Sequence, residues 1–155
     1  MRFIDMIIWV KSASNYSVFR HGAIKRSHRY YPAHQWDVLH IYQKPGHMPK
    51  MSMEGAEYMW KHHTDVWNLA PASKQVRDLG HPGVCPVELP YRTIQAYTAE
   101  GARVLDPFAG SGTALIAAER LARRAFLVEK ERRFCDVAVR RWEQFTGKRA
   151  RRSQG

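Results

Sequence analysis

The sequence predicts an α/β fold built around a parallel sheet. Three observations carry this. Residues 86–147 read as helix, strand, helix, strand, helix, which is one complete βαβ unit with flanking helices. A glycine-bearing stretch, Asp106-Pro107-Phe108-Ala109-Gly110-Ser111-Gly112-Thr113, joins the apolar run Val104-Leu105 to a segment rich in Ala and Leu. Two further β-prone runs lie near the start of the chain, Phe3–Val10 and Asp37–Gln43.

In chain order, Phe3–Val10 reads as a buried strand, and residues 11–35 as a polar, basic and aromatic loop. Asp37–Gln43 reads as a second strand, ended by Pro45, Gly46 and Pro49, and the two strands suit a long-looped antiparallel pair. Residues 45–80, with prolines and no sustained period, read as a connector with one helical turn near Glu54–Trp60. Pro86–Thr98 reads as a helix with Val87, Leu89, Ile94 and Tyr97 on one side, since Pro is tolerated at a helix start. Glu100-Gly101 turns into a strand at Arg103–Leu105. Thr113–Arg124 has helical spacing, with Ala114, Leu115, Ala117, Ala118, Leu121 and Ala122 inward. Ala125–Val128 is the next strand, and Glu131–Phe145 an amphipathic helix (Phe134, Val137, Ala138, Trp142, Phe145) stopped by Gly147. The basic tail 148–155 is expected to be disordered. The organisation is thus a strand pair at 1–44, a connector at 45–80, a βαβ unit at 81–147 and the tail.

Size and composition narrow the function classes. The 155 residues suit one domain, and 45% hydrophobic with 25% charged residues is ordinary for a globular protein. The apolar start is short and broken by Asp5, so neither a membrane span nor a signal peptide is expected. Cys85 and Cys135 lie fifty residues apart with no metal-type spacing, so neither a disulfide framework nor a metal site is expected. The net charge of +11 divides into +5 over residues 1–80 and +6 over 81–155. A spread basic excess suits a polyanion such as DNA, although a solvated basic surface accounts for it equally well.

The glycine stretch is the sharpest chemical signal. A turn of this kind brings backbone close to a ligand at a helix N-terminus. It is not the dinucleotide GxGxxG and lacks the lysine of a phosphate loop, so the expected ligand carries no pyrophosphate. Glu129 ends the second strand, 23 residues after Asp106. A carboxylate there can accept hydrogen bonds from a ribose diol; the alternative is a surface glutamate paired with Lys130 or Arg133.

The octet 106–113 resembles the cofactor motif of the S-adenosylmethionine-dependent DNA amino-methyltransferases, which methylate N6 of adenine or N4 of cytosine. His81-Pro82-Gly83-Val84-Cys85-Pro86 is similar to the segment that crosses the cofactor's methionyl part in that family, with Cys85 where Phe is usual. Trp9-Val10-Lys11, His34–Lys44, Asp65-Val66-Trp67 and Arg140–Lys148 extend the likeness over nearly the whole chain. The resemblance implies a Rossmann-like methyltransferase fold, S-adenosylmethionine as cofactor, double-stranded DNA as partner and a cytoplasmic enzyme of bacteria or phages, of the restriction-modification type. It implies cofactor contacts from Asp106, Pro107, Phe108, Gly110, Ser111, Gly112, Thr113, Glu129, His81, Pro82, Cys85 and Pro86.

The family's catalytic motif, Asp/Asn/Ser-Pro-Pro followed by an aromatic residue, is absent, and the sequence has no Pro-Pro pair. No catalytic residue is therefore assigned. The resemblance is to a C-terminal portion, with the central and catalytic strands missing, so the fold is expected to be incomplete. Such a chain is expected to be inactive alone, and either weakly stable or completed by a separate polypeptide carrying the catalytic half. The other reading is a non-catalytic DNA-binding or assembly subunit derived from such an enzyme. Arg26, Arg29, Lys61 and His62 are candidate DNA contacts, since basic and aromatic residues intermingle around them, although a solvated loop explains them too. The arginine doublets at 123–124, 132–133 and 140–141 read as solvated helix faces, some of them near DNA backbone.

Overall fold

A computed structural model describes residues 1–11, 36–46, 53–61, 64–72 and 84–153. The elements are β1 (Arg2–Lys11), β2 (Trp36–Gln43), α1 (Met53–Lys61), β3 (Val66–Leu69), α2 (Glu88–Tyr97), β4 (Arg103–Asp106), α3 (Thr113–Arg120), β5 (Arg124–Leu127) and α4 (Arg132–Thr146). They fall into two compact units, residues 1–48 with 63–71, and residues 49–62 with 72–155.

In the first unit the strands lie in the order β2-β1-β3. β1 and β2 pair antiparallel, with Ile7 opposite Leu39 and Trp9 opposite Asp37, and an irregularity between Phe3 and Asp5. The stretch expected to be a connector holds a strand: β3 runs parallel to β1, with Trp9 level with Trp67. Four residues, Val66-Trp67-Asn68-Leu69, are too short a run to show a period, which is why the strand escapes a reading by pattern. Among the described residues β3 pairs with Ile8–Lys11, and burial follows it: Ile7 and Trp9 are buried while Phe3, Ile4 and Met6 are exposed. The expectation that all of 3–10 is buried is corrected accordingly. Trp67 is the best-buried large side chain, and its indole N–H donates to the Thr64 carbonyl at 3.0 Å. The Trp9 indole N–H donates to the Leu69 carbonyl at 3.0 Å, so both buried rings satisfy their polar atom.

The second unit holds the parallel pair β4-β5. Its ladder continues past the strands through Val128 N–H to the Asp106 carbonyl at 2.9 Å and Ala109 N–H to the Val128 carbonyl at 3.0 Å. One face of the pair is covered: Val104 and Ala125 pack against Ile94, Ala117, Ala118 and Leu121, with Val87 and Tyr91 beside them. The opposite face carries Leu105 and Phe126, level with each other, and then Val128, and these are 67%, 52% and 57% exposed. Among the described residues the strands thus form two sheets, of three strands and of two.

The helix expected to reach Arg124 ends at Arg120, and the following strand starts at Arg124 rather than Ala125. The cause is a Schellman stop at alanine. Ala122 adopts a left-handed φ of 55°, Arg123 N–H reaches the Ala118 carbonyl at 2.9 Å and Ala122 N–H the Glu119 carbonyl at 3.2 Å. Alanine gives no sequence signal for such a stop. Ala122 is thereby turned outward, and Ile116, not Ala114 or Leu115, joins the buried face. The helix expected over 86–98 begins at Glu88. α4 starts at Arg132, one residue later than expected, and ends one residue later at Thr146, where Gly147, at φ 70°, donates to the Glu143 carbonyl at 2.8 Å. Phe145, expected inward, is 47% exposed. The tail expected to be disordered is held at its start: Ala150 N–H donates to Glu143 Oε1 at 2.9 Å and Lys148 Nζ to Glu119 Oε1 at 3.2 Å. α1 packs on α2 through the Tyr58 hydroxyl, which donates to Glu88 Oε1 at 3.0 Å; burial, then Glu88, pushes its pKa up to about 12.

Candidate cofactor-binding site

The site is the turn between β4 and α3. Asp106 ends β4, and its Oδ1 accepts the Phe108 N–H at 2.9 Å, which bends the chain two residues on. Gly110 and Gly112 then take φ of 51° and 76°, a region that disfavours any side chain. Gly112 is required for a second reason. A Cβ there would stand 2.7 Å from Ala138 Cβ and 3.1 Å from Ala138 Cα, so α4 sits directly on the turn.

Two charged side chains grip this turn from different elements. Glu129, just past β5, accepts the Gly110 N–H on Oε2 at 2.7 Å and the Glu131 N–H on Oε1 at 2.8 Å. Charge-assisted bonds of this kind are stronger than neutral ones. From α4, Arg141 Nη1 donates to the Ser111 carbonyl at 2.5 Å, to Ser111 Oγ at 2.9 Å and to Thr113 Oγ1 at 3.4 Å. Ser111 and Thr113 are buried. Burial of Arg141 pulls its pKa down, and the nearby Cys85 opposes this. Burial pushes the Cys85 thiol up; Asp106 acts in the same sense, while Arg141 and a hydrogen bond with Thr113 act against it.

The structure therefore brings Asp106, Gly110, Ser111, Gly112, Thr113, Cys85 and Glu129 into one cluster. Pro107 and Phe108 lie on its exposed side, Phe108 at 87%. Pro86 serves the start of α2, its carbonyl accepting the Leu89 N–H at 3.1 Å. His81 and Pro82, like Arg26, Arg29 and His62, lie outside the described residues. Lys61, a candidate DNA contact, pairs with Glu57 one turn back on α1 at 2.8 Å, both side chains being exposed. Such a pair contributes only about 0.3–0.5 kcal/mol. Glu129 is joined to the turn itself through the Gly110 amide and to the start of α4 through the Glu131 amide.

Arg141 is the residue that a reading by pattern misses. Its signal is present: Phe134, Ala138 and Arg141 stand at i, i+4 and i+7, which places Arg141 on the buried stripe of α4. Arg140, its neighbour in the doublet, is exposed, with its Nε on the Asp136 carbonyl at 3.2 Å. Among the described residues no group of three His, Cys, Asp or Glu is placed to hold a metal ion, and no helix is long and apolar enough to cross a membrane.

A parallel strand pair joined through a glycine turn and a helix, with Asp106 ending the first strand and Glu129 just past the second, is the arrangement of a Rossmann-like α/β fold. The profile of the DNA methylase family of N6 and N4 type matches residues 1–140, and the chain belongs to that family. It is 30% identical over 149 residues to the type II methyltransferase M.MthZI of Methanothermobacter thermautotrophicus, covering 86% of this chain and 41% of that one. It is 40% identical over 80 residues to the type II methyltransferase M2.DpnII of Streptococcus pneumoniae, covering 51% and 30%. Among solved structures, a DNA modification methylase of Thermus thermophilus in complex with S-adenosyl-L-methionine superposes with a TM-score of 0.63 at 27% identity, over 94% of this chain and 55% of that one. The cytosine-N4-specific PvuII DNA methyltransferase shares the fold, with a TM-score of 0.68 at 17% identity, over 90% of this chain and 51% of that one. The chain thus spans well under half the length of these curated relatives and about half that of the solved structures.

Two expected outcomes follow from the turn. Gly112→Ala adds both a strained φ and a clash with Ala138, and is expected to cost about 2–4 kcal/mol in urea denaturation. Ala138→Gly on that background is expected to restore part of the loss by removing the clash and not the strain; an unchanged midpoint for Gly112→Ala contradicts the packing. Cys85, with its pKa raised by burial, favours the folded state fully below the unfolded thiol's pKa of about 8.5, and this is lost as pH rises through the higher folded value. In a Cys135→Ser background, alkylation of folded protein by iodoacetamide is expected to be slow at pH 8 and to keep accelerating as pH rises beyond the unfolded thiol's value. A rate already at its plateau at pH 8 contradicts the burial.

Proposed function

We propose that this chain is the cofactor-binding part of a site-specific DNA methyltransferase that transfers a methyl group from S-adenosylmethionine to N6 of adenine or N4 of cytosine. The observation that carries the reading is the turn itself, with Asp106 at its entry, two left-handed glycines within it and Glu129 hydrogen-bonded to its Gly110 amide. In this reading the Glu129 carboxylate, which braces the turn through the Gly110 amide, is also the group that accepts from a ribose diol. Asp106 and the turn amides suit the amine and carboxylate of the methionyl part. Cys85, near Asp106 and Thr113, is assigned to that part in this reading, as the family resemblance assigns the segment His81–Pro86. The cofactor supplies an electrophilic methyl group on a sulfonium. The chain's own contribution is to fix the direction in which that methyl faces an incoming exocyclic nitrogen, since in-line placement provides much of the rate in such transfers. The compartment is the cytoplasm, and the setting a restriction-modification system.

The catalytic motif and the central strands come, in this reading, from polypeptide beyond these 155 residues, and the fold here is incomplete. The bare face formed by Leu105, Phe126 and Val128 supports it, because parallel sheets are stable when covered on both sides. So does the share of its relatives that the chain spans. Double-stranded DNA is the substrate, approached by the basic surface and by the region around Lys61 and Trp60, the latter 79% exposed. The net charge of +11 together with the missing motif favours a second reading, a DNA-binding or assembly subunit that needs no cofactor.

Calorimetry separates the two. The folded chain is expected to bind S-adenosylhomocysteine, with binding lost in Asp106→Ala and weakened about tenfold or more in Glu129→Ala, the loss expected for a charge-assisted contact. No binding by the folded wild type sinks the first reading; salt-dependent DNA binding that is indifferent to Asp106→Ala then favours the second. Methyl transfer to DNA is expected to be absent from the chain alone and to appear when polypeptide with the central strands and an Asp-Pro-Pro-aromatic motif is supplied. Methylation by the purified chain contradicts the incomplete-site reading.

A further inference from the structure

We propose that Arg141 is the positioning residue of the cofactor turn, holding its Ser111–Thr113 half in binding geometry from the side of α4 and selecting ligands that carry a carboxylate. The inference rests on the reading of this turn as the S-adenosylmethionine site. Ser111 stands between two glycines of positive φ, the residues least able to fix a peptide by themselves. On the Gly110 side the peptide is fixed by Glu129 at 2.7 Å. On the Ser111 side one guanidinium nitrogen meets the backbone carbonyl and two hydroxyl oxygens, and Arg141 comes from a residue 30 positions away. With the carbonyl drawn toward α4, the peptide plane that follows Ser111 has one orientation rather than several.

The second element is charge. The three oxygens that Arg141 meets on the turn are neutral, so the cation is not cancelled there. It is also partly withdrawn from water, which lengthens the reach of its field. An anionic ligand group settling on the turn gains from that field. Glu129 grips the other end, where the reading places the ribose. Arg141 is therefore expected to govern the methionyl end and to leave the adenosine end nearly untouched.

The test uses the full chain and two ligands. S-adenosylhomocysteine carries the amino-acid carboxylate, whereas 5′-methylthioadenosine has the same nucleoside and sulfur without it. Binding is measured by calorimetry for the wild type, Arg141→Met and Arg141→Lys, with a thermal melt of each. Arg141→Met is expected to lose about tenfold or more in affinity for S-adenosylhomocysteine and to stay within about twofold for 5′-methylthioadenosine. Arg141→Lys, which keeps the charge on one donor nitrogen but loses the planar fork, is expected to regain part of the loss. An equal loss for both ligands, or an unchanged affinity for S-adenosylhomocysteine, overturns the proposal. If Arg141→Met does not melt cooperatively, the ratio of the two affinities is read from Arg141→Lys and Ser111→Ala, and an unchanged ratio in both overturns it. A folded wild type that binds neither ligand overturns the site reading, and this proposal with it; a wild type that binds both with a ratio insensitive to Arg141 overturns only the role given to Arg141.

Discussion

Everything around the turn depends on how closely α4 lies on it. At Gly112 there is no room for a methyl group, because Ala138 already occupies the place a Cβ would take. That approach fixes the helix against the loop, and the helix in turn carries what the loop needs. Glu129 and Glu131 lie just ahead of α4, and the first of them caps the Gly110 amide. One turn beyond Ala138, Arg141 reaches the Ser111 carbonyl. A bulkier residue at 112 or 138 would displace both charged contacts together. Small residues at these two positions are thus a condition of the electrostatics as well as of the packing.

The same unit is built asymmetrically. Beneath β4 and β5 lies a core of Ile94, Ala117, Ala118 and Leu121, and α2 and α3 cover it. On the other face Leu105, Phe126 and Val128 meet water, while Arg103 and Arg124 lie level with each other at the start of the strands. Each large apolar side chain left uncovered forgoes about 1.5–3 kcal/mol of burial. Three such side chains on two paired strands make a face that gains stability when covered.

The first unit solves a different problem with similar means. Its strand pair would be a marginal hairpin alone. The short β3 adds a third strand beside Ile8–Lys11 and allows Ile7, Trp9, Trp67 and Leu69 to be buried. Both indoles spend their N–H on backbone carbonyls, so two large rings are enclosed with no polar loss.

Much of this was written in local sequence. β-prone composition marks the strands at 3–10 and 37–43, helical spacing the helices at 113 and 131 onward, and the glycine octet the turn, because these are properties of a few neighbouring residues. The Schellman stop at Ala122 was not legible, since nothing about alanine announces a positive φ. Nor was β3, whose four residues are a strand only because β1 lies beside them. The partners of Glu129 and the inward turn of Arg141 were decided by tertiary structure alone. Which donor a carboxylate meets, or which oxygen a guanidinium meets, depends on where a segment 19 or 30 residues away is packed, and that is set by the fit of Ala138 against Gly112 rather than by the charge of the residue itself.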